Sequence, residues 1–102
     1  MSIFPRKFRK GETNSVMLHL RVRNRDDSTL KGKAVFEIED PSGIEEKIVE
    51  DMKINPGEET DLYTTYNSNK FEKGKYNILG YFSYSEGRIV SNTCERDFFE
   101  VI

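Results

Sequence analysis

Between Ser15 and Arg23 every second residue is aliphatic: Val16, Leu18, Leu20 and Val22 alternate with Met17, His19, Arg21 and Arg23. Side chains alternate across a strand but recur every 3.6 residues around a helix, so this spacing predicts a half-buried strand with four branched groups on one face. The same period returns with Ala34, Phe36 and Ile38 in Lys33–Asp40, with Thr60, Leu62, Thr64 and Tyr66, and with Tyr76, Ile78, Gly80, Phe82 and Tyr84. No segment carries a helical period. Turn chemistry separates the runs: the polar stretch from Arg25 to Gly32, Asp40-Pro41-Ser42-Gly43, Asn55-Pro56-Gly57, the loop Asn67 to Lys73, and Ser85-Glu86-Gly87. Arg88 to Ile102 supplies one or two closing strands. About seven short strands punctuated in this way predict an all-β chain folded as an antiparallel two-sheet sandwich.

A chain of 102 residues withdraws roughly two thirds of its unfolded surface from water, enough for one core. The expected organisation is residues 1–10 as a basic N-terminal arm or first edge strand, and residues 11–102 as a single sandwich domain. No stretch approaches the ~18 apolar residues of a membrane span. Met1 to Lys10 lacks the apolar core of a secretory signal, so the chain as written is expected in the cytoplasm, and on the cell surface or outside if it is excised from a longer protein. The single cysteine, Cys94, cannot form an internal disulfide. One Cys and one His, His19, cannot fill a four-ligand zinc site, and no EF-hand spacing occurs among the acids, so no metal or cofactor is expected. With no Ser-His-Asp, Walker or Rossmann motif, the chain is expected not to be an enzyme.

Charge is unevenly placed. Residues 1–33 hold nine Lys or Arg against three acids, whereas residues 37–61 hold ten acids against Lys47 and Lys53. Cross-strand pairing of basic and acidic strands accounts for this pattern, and steering of a charged partner is the sharper reading. Two candidate surfaces follow. In the arm Phe4-Pro5-Arg6-Lys7-Phe8-Arg9-Lys10, the cations Arg6, Lys7, Arg9 and Lys10 could lie along phosphates while the rings stack on bases. A sequence pI of about 5.5 weighs against nucleic acid as the main partner. On the strands, Tyr63, Tyr81 and Phe98 or Phe99 could present rings from a sheet face to another protein. Ile44 to Asp51 and Phe98 to Ile102 are the candidate free edges, where a partner strand could add.

Lys10-Gly11-Glu12 ahead of a strand ending in Val22-Arg23-Asn24, then Ile54-Asn55-Pro56-Gly57-Glu58-Glu59, then Gly74-Lys75-Tyr76-Asn77-Ile78, resembles prokaryotic immunoglobulin-like modules. These include adhesion-related domains, fibronectin type III relatives, macroglobulin-type domains and the intracellular proteinase inhibitors of bacilli. The resemblance implies an immunoglobulin-like sandwich over about residues 8–102, with Tyr76 pinning the preceding corner through its hydroxyl. The expected function is a non-catalytic protein-interaction or structural module, working alone or as a domain of a larger assembly. The alternatives are an intracellular protease inhibitor whose Asn67–Lys73 loop enters a cleft, and a binder of nucleic acid or anionic surfaces through the basic arm.

Overall fold

The computed structural model describes residues 1–84, the backbone of 88–89, and 94–102. It is all-β. The strands are β1 (Ser2–Phe4), β2 (Lys7–Phe8), β3 (Ser15–Arg23), β4 (Leu30–Glu39), β5 (Glu45–Ile54), β6 (Glu59–Asn67), β7 (Gly74–Tyr84), β8 (Arg88–Ile89) and β9 (Glu95–Val101). They form two sheets packed as a sandwich. The smaller has the order β1-β3-β6, and the larger the order β2-β9-β7-β4-β5, with β8 added on β7. All pairs are antiparallel except β2 with β9. The turn expected at Ser85-Glu86-Gly87 lies outside the described residues.

The alternation seen in the sequence sets the interior. Val16, Leu18, Leu20 and Val22 of β3 are fully buried, opposite Phe36 and Ile38 of β4 and Ile78 and Phe82 of β7. At one end the core is aromatic: Tyr76 stacks on Phe99 at 4.6 Å, and Phe71 meets Phe8, Tyr66, Tyr76 and Phe99 edge-on. Such pairs add about 0.5–1.5 kcal/mol each beyond the area they bury. At the other end Asn24, fully buried, ties the β3–β4 loop to the end of β5 through Nδ2, which donates to the carbonyls of Ser28 and Ile54.

Residues 1–10 divide between the two sheets. β1 pairs with β3 across Ile3 and Leu18, and after the cis Phe4–Pro5 peptide β2 runs parallel to β9, matching Phe8 with Val101. Phe98 to Ile102 is therefore not a free edge, because β2 occupies its hydrogen-bonding side. β5 does form an edge, and its exposed Glu45, Glu46, Glu50 and Asp51 guard it against pairing with other chains. The uneven charge is resolved across strands: Arg21 of β3 pairs with Asp61 of β6 at 2.8 Å, and Lys33 of β4 with Asp51 of β5 at 2.7 Å. Among the described residues no helix is long and apolar enough to cross a membrane.

Candidate functional site

The four arm cations meet different fates. Arg6 grips Asp97 through both terminal guanidinium nitrogens, with 2.6 Å from Nη1 to Oδ1, and Lys7 lies 3.7 Å from Glu100. The hydrogen bond and charge of Arg6 hold the Asp97 carboxyl below its ordinary range. Arg9 and Lys10 make no ion pair among the described residues. They stand on a tight turn, where the Glu12 amide donates to the Arg9 carbonyl at 2.9 Å and Gly11 takes φ +87°. Only glycine adopts that φ without strain, which accounts for its place in Lys10-Gly11-Glu12.

This turn meets the β6–β7 loop at the aromatic end of the sandwich. The Ser68 amide donates to the Asn14 carbonyl at 2.9 Å, Phe71 plugs the core, and the Glu72 amide donates to the Tyr76 hydroxyl at 2.8 Å. Between the two loops runs an open groove of about 580 Å³, with Lys10 and Asn14 on one wall, Asn69 and Lys70 on the other, and Phe71 beneath. Its two carboxylates are engaged: Glu12 accepts from the Arg9 amide at 2.8 Å and Glu72 from the Ser42 hydroxyl at 3.1 Å. The ammonium groups of Lys10 and Lys70 have no such partner among the described residues. The groove thus offers unpaired cations and side-chain amides, the donor set that an anion requires. Lys70 was not singled out by the sequence, because nothing in the chain order joins it to Lys10.

The expected ring contacts do not share a face. Tyr63 projects from β6 on the outer side of the small sheet and is 62% exposed. Tyr81 and Phe98 lie on the outer side of the large sheet. Tyr81 is only 9% exposed, with Val35 beside it across the strands, while the Lys75 ammonium sits 4.2 Å above the Phe98 ring. Phe99 is in the core with no exposed surface. Adjacent residues on a strand point to opposite faces, so of Phe98 and Phe99 only one could have been outside. Phe8 of the arm is likewise core.

Around Tyr63 the fold assembles residues that were not brought together beforehand. The His19 ring stacks on the Tyr63 ring at 4.5 Å and 22°, and its nitrogens bond to Ser2 Oγ at 3.1 Å and Asp61 Oδ1 at 2.7 Å. Arg21 and His19 both hydrogen-bond the Asp61 carboxylate and lower its pKa. These include the residue types of a hydrolytic triad, but the carboxylate is shared with Arg21 and the imidazole is stacked, which suits a fixed ring better than a proton relay. Phe4 and Met17, 74% and 48% exposed, complete an apolar patch in the next cross-strand row. The alternation of β3 already put Met17 and His19 outward; their neighbours depended on strand pairing. Among the described residues no group of His, Cys, Asp or Glu is placed to hold a metal ion, and Cys94 is a free, exposed thiol.

No protein-family model matches this chain, and no curated protein does. Among solved structures, Pseudomonas fluorescens alkylpurine DNA glycosylase AlkC, bound to DNA containing an abasic site analog, shares the fold with a TM-score of 0.70 at 12% identity. The match covers 98% of this chain but 28% of that one. The anticipated kinship with adhesion, fibronectin-related and proteinase-inhibitor modules is corrected by this comparison, as is the protein-interaction role drawn from it. The residues that suggested it are turn and corner chemistry that any sandwich can use, and a fold does not carry a function with it. The loop assigned to a protease cleft points its Phe71 into the core instead. What the comparison establishes is the fold, present as one segment of a larger protein.

Proposed function

We propose that this domain binds nucleic acid, gripping the phosphate backbone at the groove between the β2–β3 and β6–β7 loops. The carrying observation is that Lys10, Lys70 and the neighbouring Arg9 have no ion pair among the described residues, while Glu12 and Glu72 of the same groove are turned to neutral donors, the Arg9 amide and the Ser42 hydroxyl. Part of the chain's acid lies outside the groove lining: Glu37, Glu39 and Glu45 line a recess on the outer face of the large sheet. The DNA-bound state of the structural neighbour supports the reading, and its larger size suggests a binding module that works beside other machinery. The domain contributes contacts to phosphate and no chemical step.

Fluorescence anisotropy with a labelled oligonucleotide tests this. Three phosphate contacts give a salt slope of about −2.7 for duplex DNA, so affinity should fall about 40-fold between roughly 50 and 200 mM salt. Lys10→Glu with Lys70→Glu should remove most binding while leaving the thermal transition in place. Binding that is indifferent to salt, or to this double reversal, would overturn the proposal.

A further inference from the structure

We infer that the outer face of the β1-β3-β6 sheet is a stacking platform for unpaired bases, so that the preferred ligand is single-stranded. This rests on the nucleic-acid reading above and specifies its substrate class.

Three observations converge. First, the rings are held in place. His19 is fixed by Ser2 and Asp61, Asp61 is fixed in turn by Arg21, and Tyr63 is stacked on the imidazole, so little freedom is lost when a base lands on the exposed phenol face. Second, the patch adjoins the groove. Ser15 and Asn67 pair at the end of β3 and β6 where the groove loops begin; Phe4, Met17 and Thr65 form the next outward row, followed by Ser2, His19 and Tyr63. Each row advances roughly 6.7 Å along the strands, which places Tyr63 about 13 Å from that end. Third, the far end of the same face carries Arg23, which has no ion pair among the described residues; its cross-strand neighbour Glu59 lies 3.4 Å from Arg21. The order along the face is therefore the groove lysines, the rings, the paired Arg21 and Asp61, and then Arg23. A polynucleotide with phosphates in the groove and near Arg23 would lay its intervening bases over Phe4 and Tyr63. In a duplex those base faces are already stacked on one another, so only an unpaired strand can offer them.

The test compares a labelled oligothymidine of about 15 nucleotides with a duplex of equal length, by anisotropy at low salt, for the whole chain and for Tyr63→Ala, Tyr63→Phe and Phe4→Ala. Losing one stacked base costs about 5- to 150-fold in affinity, so Tyr63→Ala should weaken single-strand binding within that range, leave duplex binding unchanged, and be rescued by Tyr63→Phe. Because the chain has no tryptophan, its intrinsic fluorescence reports tyrosine, and the single strand should quench a component that Tyr63→Phe removes. Should Tyr63→Ala and Phe4→Ala bind the oligothymidine as the parent does while Lys10→Glu with Lys70→Glu loses it, the platform is refuted and the groove stands. Absence of binding to both ligands refutes both proposals. Melting curves of each variant confirm that the comparison is between folded proteins.

Discussion

Replacing Asn24 with Ala removes a side chain that braces the β3–β4 loop and joins it to the end of β5, at the end of the sandwich opposite the groove. Its Nδ2 donates to the Ser28 and Ile54 carbonyls, both at 2.9 Å, and its Oδ1 accepts from the Asp26 amide at 2.9 Å. The main-chain bonds of Asn24 to Glu58 and Gly57 survive the substitution. The Ile54 carbonyl is the costly loss, because a buried acceptor stripped of its donor forfeits about 1–3 kcal/mol. The other two bonds lie nearer solvent and contribute roughly 0.5–1 kcal/mol each. The total is about 3 kcal/mol, a large share of the roughly 5–15 kcal/mol that holds a domain folded. It corresponds to a fall in Tm on the order of 15 °C. Urea unfolding followed by circular dichroism should show the midpoint drop with m unchanged. Asn24→Asp sharpens the test: at neutral pH its carboxylate faces two carbonyls and should destabilise at least as much, with partial recovery relative to the parent in acid, where the protonated oxygen can donate. A loss below about 1 kcal/mol for Asn24→Ala would mean that water replaces the amide, and the assignment of Asn24 as the tie between this loop and β5 would be refuted.

Gly32→Ala should destabilise by about 1–3 kcal/mol in the same assay, since its Cβ would fall 2.1 Å from the Ser83 carbonyl oxygen; an unchanged midpoint would contradict the pairing of β4 with β7. Phe99→Ala, which empties a site packed by Tyr76, Phe8 and Phe71, should cost about 3–5 kcal/mol. Burial foremost, with Glu46 adding to it, pushes the Tyr66 hydroxyl up to about 12. Since that value is raised on folding, its contribution is intact below about 10 and is lost as pH climbs from about 10 to 12, where the unfolded chain ionises first. The last tyrosinate step in the ultraviolet absorbance should vanish in Tyr66→Phe. Asp51, Asp61 and Asp97 titrate below the ordinary carboxylate range because of Lys33, of Arg21 with His19, and of Arg6. Depressed values stabilise the fold above the unfolded pKa of about 3.9 and cease to do so as pH falls through the folded values, so denaturation midpoints should decline in acid, and less so in Asp97→Asn.

Where a single strand's own pattern sufficed, the chain could be read directly. Period two in Ser15–Arg23 and Tyr76–Tyr84, broken by Pro-Gly and Asp-Pro-Ser-Gly turns, determined the all-β sandwich and the inward set from Val16 to Phe82, because burial of alternate side chains is local to each strand. The opposed charges of the two chain segments likewise foretold cross-strand pairs such as Arg21 with Asp61. Tertiary structure alone decided which surfaces those strands would make. Pairing of β2 with β9 closed an edge that the sequence left open; strand parity sent Phe98 outward and Phe99 inward; and the sheet order placed Tyr63 and Tyr81 on opposite sides of the molecule. The same long-range pairing set Lys70 beside Lys10, and Ser2, His19 and Tyr63 in one row, although they lie far apart in the chain. Residues far apart in sequence become neighbours only through strand register, and register is settled by the packing of the whole core, which no local stretch of sequence contains.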